Sequence, residues 1–124
     1  MPNPGLIKTY VAEAAVAAYR IVKPGAADAN VVPAAGVNDA LMGINGAIAG
    51  DINKRADIIH SDIADVEYGG PVTRGDWLTS DVSGKAVTAA PAAGTNNNVI
   101  GRALVSGVLG DIGSCLICPG RIQG

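Results

Sequence analysis

Phenylalanine is absent from the 124 residues, tryptophan occurs once and tyrosine three times. A single-strand nucleic-acid binder needs aromatic faces on which bases stack, and this chain has almost none. Positive charge is also short: nine Lys and Arg stand against eleven Asp and Glu, for a net charge of −2. No basic surplus exists to neutralise phosphates, so nucleic acid is excluded as the expected partner. His60 is the only histidine, which rules out a zinc centre with two or three His ligands inside one chain. Two cysteines do not make a disulfide scaffold. No apolar run approaches the roughly 18 residues of a membrane-spanning helix, so no membrane partner is expected. Met1-Pro2-Asn3-Pro4-Gly5 lacks the charged-then-apolar layout of a signal peptide, and synthesis and use without Sec export is the expectation.

What is present points to strands. Glycine (17) and proline (7) make up roughly a fifth of the chain, above average usage but below the level of a low-complexity sequence. Twelve Ile, thirteen Val and six Leu can build a core. The length fits one domain, and a small Ala- and Gly-rich domain gains stability by oligomerising. Leu6 to Ala12 reads as a strand or an extended arm. Ala14 to Ala18 is the one patch of helical propensity, too short to stand without packing. Tyr19 to Lys23 is β-rich and stopped by Pro24-Gly25, and Pro33 cuts Val31-Val32 short as at an edge. Asn45-Gly46 between apolar segments predicts a type I′ turn. Residues 55–68 carry both helical and alternating spacings, and the Ile/Val content favours two strands with a bulge at Ser61-Asp62. Trp77 to Thr88 predicts a hairpin whose four-residue turn ends in a left-handed Gly84. Ala89 to Asn98 reads as a flexible loop, Val99 to Val105 as a strand, Gly107 to Gly113 as a connection and Ser114 to Cys118 as the closing strand. The fold class expected is mainly β: a single-domain sandwich or barrel-like fold with at most one short helix. It is divided into an extended N-terminal arm over residues 1–12 and a β-rich domain over 13–124.

Few residues carry chemistry. Ser61 and several Asp stand near His60 in sequence, but no Gly-x-Ser-x-Gly elbow is present, and His60 reads as structural. Cys115-Leu116-Ile117-Cys118 has redox spacing, yet residues i and i+3 of a strand face opposite sides, so the thiols read as buried apolar groups that do not meet. Arg74-Gly75-Asp76 spells an adhesion tripeptide and reads as a turn entering the Trp77 strand. Asp57, Asp62, Asp65 and Glu67 lack the glycine-centred loop of a hard-cation site and read as a solvated strand face. No phosphate-cradling loop occurs. No catalytic, cofactor-binding or metal-binding residues are therefore assigned, and no cofactor is expected.

The block Ile63-Ala64-Asp65-Val66-Glu67-Tyr68-Gly69-Gly70-Pro71-Val72-Thr73-Arg74-Gly75-Asp76-Trp77-Leu78-Thr79-Ser80-Asp81-Val82-Ser83-Gly84-Lys85-Ala86-Val87 resembles the capsid cement, or head decoration, proteins of tailed bacteriophages. Ala18 to Lys23, Ala40 to Ile44, Val99 to Leu104 and the run ending Pro119-Gly120 are similar to that family in the same order. The resemblance implies a β-rich homotrimer on the outer surface of an expanded phage head. There it would tie major capsid protein subunits together at three-fold or quasi-three-fold positions, with no catalytic residue and no enzymatic activity. The alternatives are another phage virion component, such as a head-completion or tail protein, and a small β-barrel enzyme using His60 with a nearby Asp.

Overall fold

Alternating Ile and Val, punctuated by Gly, Pro and Asn, fold into strands throughout. The computed structural model describes residues 3–123, and among these residues it has eleven strands and no helix. They are β1 (Asn3–Pro4), β2 (Ile7–Ala12), β3 (Ile21–Pro24), β4 (Asn30–Pro33), β5 (Gly43–Asn45), β6 (Arg55–Ile59), β7 (Asp62–Glu67), β8 (Trp77–Ser80), β9 (Ala86–Thr88), β10 (Asn96–Ala103) and β11 (Ile112–Gln123). Strands β2 to β6 close into a barrel in the order β2-β4-β3-β5-β6, and the second half, joined at its edge by the N-terminal β1, forms a sheet in the order β1-β7-β11-β10-β8-β9. The expected β class holds, with a barrel and a backing sheet combined.

Period-two side-chain placement gives each half its role. Val22 and Ile58 point into the barrel with Ala12, Val16, Val31 and Ala56. Their chain neighbours Ile21 and Ile59 point outward, into a second core shared with the sheet residues Val66, Tyr68, Leu78 and Ile100. The chain passes from barrel to sheet at Ser61-Asp62. Asp62 takes a left-handed φ of 67° there, and β6 and β7 pair with different strands. The expected bulge between two pieces of one ladder is thus a crossover between the two layers.

Other local expectations are corrected by packing. Ala14 to Ala18 forms no helix. Val16 instead exchanges two backbone hydrogen bonds of 2.8 Å with Gly50 and is fully buried, satisfying the backbone that one short turn of helix would leave open. Asn45-Gly46 is not a type I′ turn, since neither residue has positive φ. Asn45 ends β5 with its side chain buried, and its Nδ2 donates to the carbonyls of Ala17 (3.0 Å) and Ile48 (3.1 Å). Of the residues expected as an arm, Ile7–Ala12 form β2, paired with β6 from Ile7↔Ile59 to Val11↔Arg55. Asn3–Pro4 pair with β7, and Met1 and Pro2 lie outside the described residues. The expected loop ends early, because Asn96 to Asn98 already belong to β10.

The hairpin forms as expected. Ser80 pairs with Ala86 and Leu78 with Thr88, and Gly84 has φ +79°. Its tip docks on the barrel: Ile21 N–H donates to the Gly84 carbonyl at 2.8 Å, and Arg20 donates to the Ser83 carbonyl at 3.0 Å. Glu67 lies between Arg20 (3.2 Å) and Lys85 (3.4 Å), an ion cluster spanning both layers.

Candidate functional site

Most of the chemically suggestive side chains have a local structural partner. His60 sits at the layer crossover, where its Nδ1 lies 3.0 Å from the Met42 carbonyl and its Nε2 lies 2.7 Å from the Tyr10 hydroxyl. The carbonyl only accepts, so Nδ1 donates to it, and in the neutral ring Nε2 accepts from Tyr10. Both ring nitrogens are thus bonded to groups other than a carboxylate, unlike the base of a Ser-His-Asp set.

Cys115 is buried and Cys118 exposed, so the thiols face apart as the strand period requires. Burial pushes the Cys115 thiol up to about 12. Cys118 and Pro119 together stand opposite Ile100 where the β10–β11 register shifts, a bulge that accommodates a residue lacking an N–H. The expectation that both cysteines are buried holds for Cys115 alone.

In Arg74-Gly75-Asp76, Gly75 has φ +92°. The Asp76 carboxylate accepts from Thr73 N–H and the Thr88 hydroxyl, both at 3.0 Å. The tripeptide is a turn that consumes its own carboxylate. The four acids of β6 and β7 diverge. Asp57 accepts from Thr9 (2.7 Å), Asp65 from Ser114 (3.4 Å), and Glu67 joins the ion cluster. Among the described residues, no three His, Cys, Asp or Glu side chains converge as metal ligands, and there is no pocket.

The distinctive surface is apolar. Leu104, Val105, Val108, Leu109, Ile112 and Leu116 are exposed around the β10–β11 turn, with Leu109 65% exposed. Tyr68 holds this turn from below. It is fully buried, donates its hydroxyl to the Val105 carbonyl at 2.7 Å, and exchanges backbone bonds with Gly110 and Asp111. A Cβ on Gly113 would strike the Tyr68 ring and hydroxyl, so the close approach of turn and ring requires glycine there. Beside this end, Arg102 stacks 4.1 Å over the Trp77 ring. On β2, Ile7 and Val11 share one face and are also exposed, as is Leu6 just before the strand. Sequence reading treated 107–113 as a plain connection. The available signal was Val108, Leu109 and Ile112 in a glycine-rich turn, where polar residues are the rule. The exposed apolar residues at the β10–β11 end suit contact with another macromolecule.

No family model matches the chain, and no curated protein matches it. Among solved structures, it is similar to the one described as the head fiber gp8.5 N base in bacteriophage phi29. The TM-score is 0.70 at 20% identity, over 96% of this chain and 98% of that one. At that identity the likeness shows a shared fold, a barrel and sheet that also serve in the base of a phage head fibre.

Proposed function

We propose that this chain is a non-enzymatic structural protein of a phage virion. In this reading it binds the outer surface of an expanded head as a homotrimer. It bridges major capsid subunits at three-fold or quasi-three-fold positions and thereby stabilises the shell. The observation that carries the reading is the match of fold over nearly the whole chain to the base of a phage head fibre, and the exposed apolar residues at the β10–β11 end agree with it. A protein that binds the assembled shell and not free capsid subunits stabilises the shell by mass action. With a net charge of −2, long-range steering is weak and binding should depend only modestly on salt.

The test is to strip the protein from particles of its source phage, measure the temperature of DNA release, and add it back. Rebinding should restore a higher release temperature, at hundreds of copies per particle. Unchanged release together with no rebinding refutes the cement role, and six or twelve copies would instead indicate a connector or tail component.

A further inference from the structure

We infer that Asn45-Gly46 is a deamidation site that the closed barrel holds shut, and that a chain which reacts there after opening loses the fit that closes it. It is the one Asn-Gly pair in the sequence. The chemistry is independent of the role proposed above. In an unstructured chain Asn-Gly is the most reactive asparagine context, because glycine leaves the following backbone nitrogen mobile and unhindered. The Gly46 nitrogen gives up its proton and attacks Asn45 Cγ. The new N–Cγ bond closes a succinimide, the Cγ–Nδ2 bond breaks, and the side-chain nitrogen leaves with that proton as ammonia. Water then opens the ring and returns a proton to the Gly46 nitrogen. Cleavage of the N–Cγ bond leaves aspartate at position 45. Cleavage of the bond to the main-chain carbonyl carbon leaves isoaspartate, whose backbone runs through Cβ and Cγ.

The fold opposes each step. Gly46 N–H donates to the Asp57 carbonyl at 3.3 Å, and Tyr19 N–H donates to the carbonyls of Asn45 (3.1 Å) and Gly46 (3.2 Å), so the reacting peptide is tied on both sides. The leaving group is held as well: Nδ2 donates to the Ala17 and Ile48 carbonyls, with the Val16 carbonyl 3.4 Å away. The side chain is fully buried, which keeps out the base and the water that the reaction needs. The same cradle rejects the products. An ionised carboxylate would bring acceptors and no hydrogen against those carbonyls. Asn45 Oδ1 already lacks a partner, alone among the buried side-chain nitrogens and oxygens of the described residues, so no donor stands ready for the negative charge. Isoaspartate would lengthen the backbone of β5 where Asn45 pairs with Ile58. Glycine at position 46 is not demanded by the geometry. Its φ is not left-handed, and a Cβ there would meet nothing nearer than the Asp57 carbonyl at 3.9 Å.

The experiment holds the full chain at mildly alkaline pH in a urea series and follows the peptide bearing Asn45 and Gly46 by mass spectrometry. Trp77 fluorescence gives the unfolded fraction. In strong urea Asn45 should deamidate ahead of Asn53, Asn96 and Asn97. Without urea the rate should drop about 10³-fold or more, following the small unfolded fraction of an ordinary domain. A rate that does not fall with the unfolded fraction, or an unfolded chain whose Asn45 reacts no faster than Asn53, overturns the inference. Gly46→Ala should keep the wild-type urea midpoint and slow the reaction of the unfolded chain, and equal rates in urea would refute the succinimide route. When urea is removed at neutral pH, unreacted chains should regain native fluorescence and protease resistance while reacted chains do not. Reacted chains that recover the wild-type midpoint overturn the loss of fit. Asn45→Asp isolates one product. Its protonated carboxyl carries an O–H for the Ala17 or Ile48 carbonyl, so it should approach wild-type stability at low pH. The folded state keeps that proton where the unfolded chain releases it, so its deficit against wild type should grow as pH rises above about 4. A deficit independent of pH overturns the part assigned to the carbonyl cradle.

Discussion

Tyr68 links the core to the exposed turn, and its replacement separates two contributions. The side chain is fully buried between the layers, and its hydroxyl donates to the Val105 carbonyl at 2.7 Å. Tyr68→Phe keeps the ring and removes that bond, a loss of about 1 kcal/mol for one neutral hydrogen bond. Tyr68→Ala also empties a ring-sized volume beside Gly107 and Gly113, for which large-to-small aromatic changes cost about 3–5 kcal/mol. In a domain of this size, 1 kcal/mol corresponds to roughly 4 °C in Tm. Trp77 is the only tryptophan, so urea unfolding at fixed protein concentration can be followed by its fluorescence. The Phe variant should also exchange the Gly110 amide faster, because that N–H donates to the Tyr68 carbonyl at 2.9 Å. If Phe costs as much as Ala, or if neither changes stability, Tyr68 does not anchor the turn as described.

Other expected outcomes follow from single contacts. Stability should fall on the alkaline side. Burial raises Cys115 from 9.0 and Tyr68 from 10.0, each to about 12, so between those values the unfolded chain releases protons that the folded chain holds. Cys115→Val should remove the earlier part of that loss in a pH series of melts. On the acid side, hydrogen bonds from Ala26, Asn30 and Ala27 hold the Glu13 carboxyl below its ordinary 4.5. Its stabilisation is present above that value and is lost as pH falls through the lowered one, and Glu13→Gln should flatten this limb of the stability profile. Asn45→Ala should cost about 1–3 kcal/mol in chemical denaturation, since the carbonyls of Ala17 and Ile48 lose a buried donor. In thiol labelling of the folded protein, Cys118 should react promptly and Cys115 only on unfolding.

Legibility in the sequence followed the range of the interactions involved. The Trp77–Thr88 hairpin was readable because an Asp81 cap and a left-handed Gly84 act within a few residues: the Asp81 carboxylate accepts from Ser83 N–H (2.8 Å) and Lys85 N–H (2.9 Å). In residues 55–68 the spacings point both ways, and the local Ile and Val content decides for strands, as found in β6 and β7. Asn45 misled because its amide serves carbonyls up to 29 positions away, which no turn rule contains. Ala14 to Ala18 misled for the same reason, as Val16 is held by Gly50 across the barrel. Leu6 to Ala12 reads as either a strand or an arm because its partner is distant in sequence: the backbone of Ile7–Ala12 closes the barrel against β6. The candidate surface was missed because an apolar residue in a turn becomes informative only once Tyr68 is seen to hold that turn rigid.

Neighbouring residues on one strand serve different cores: Ile21 and Ile59 face the sheet, while Val22 and Ile58 fill the barrel. The barrel wall is therefore a party wall, and neither layer can loosen without disturbing the packing of the other. Cooperativity is the consequence. Barrel and sheet should melt in a single transition, and the slowest-exchanging amides should appear in β3 and β6 as well as in β7 and β11. A body that opens everywhere or nowhere transmits force between its two ends with little internal give.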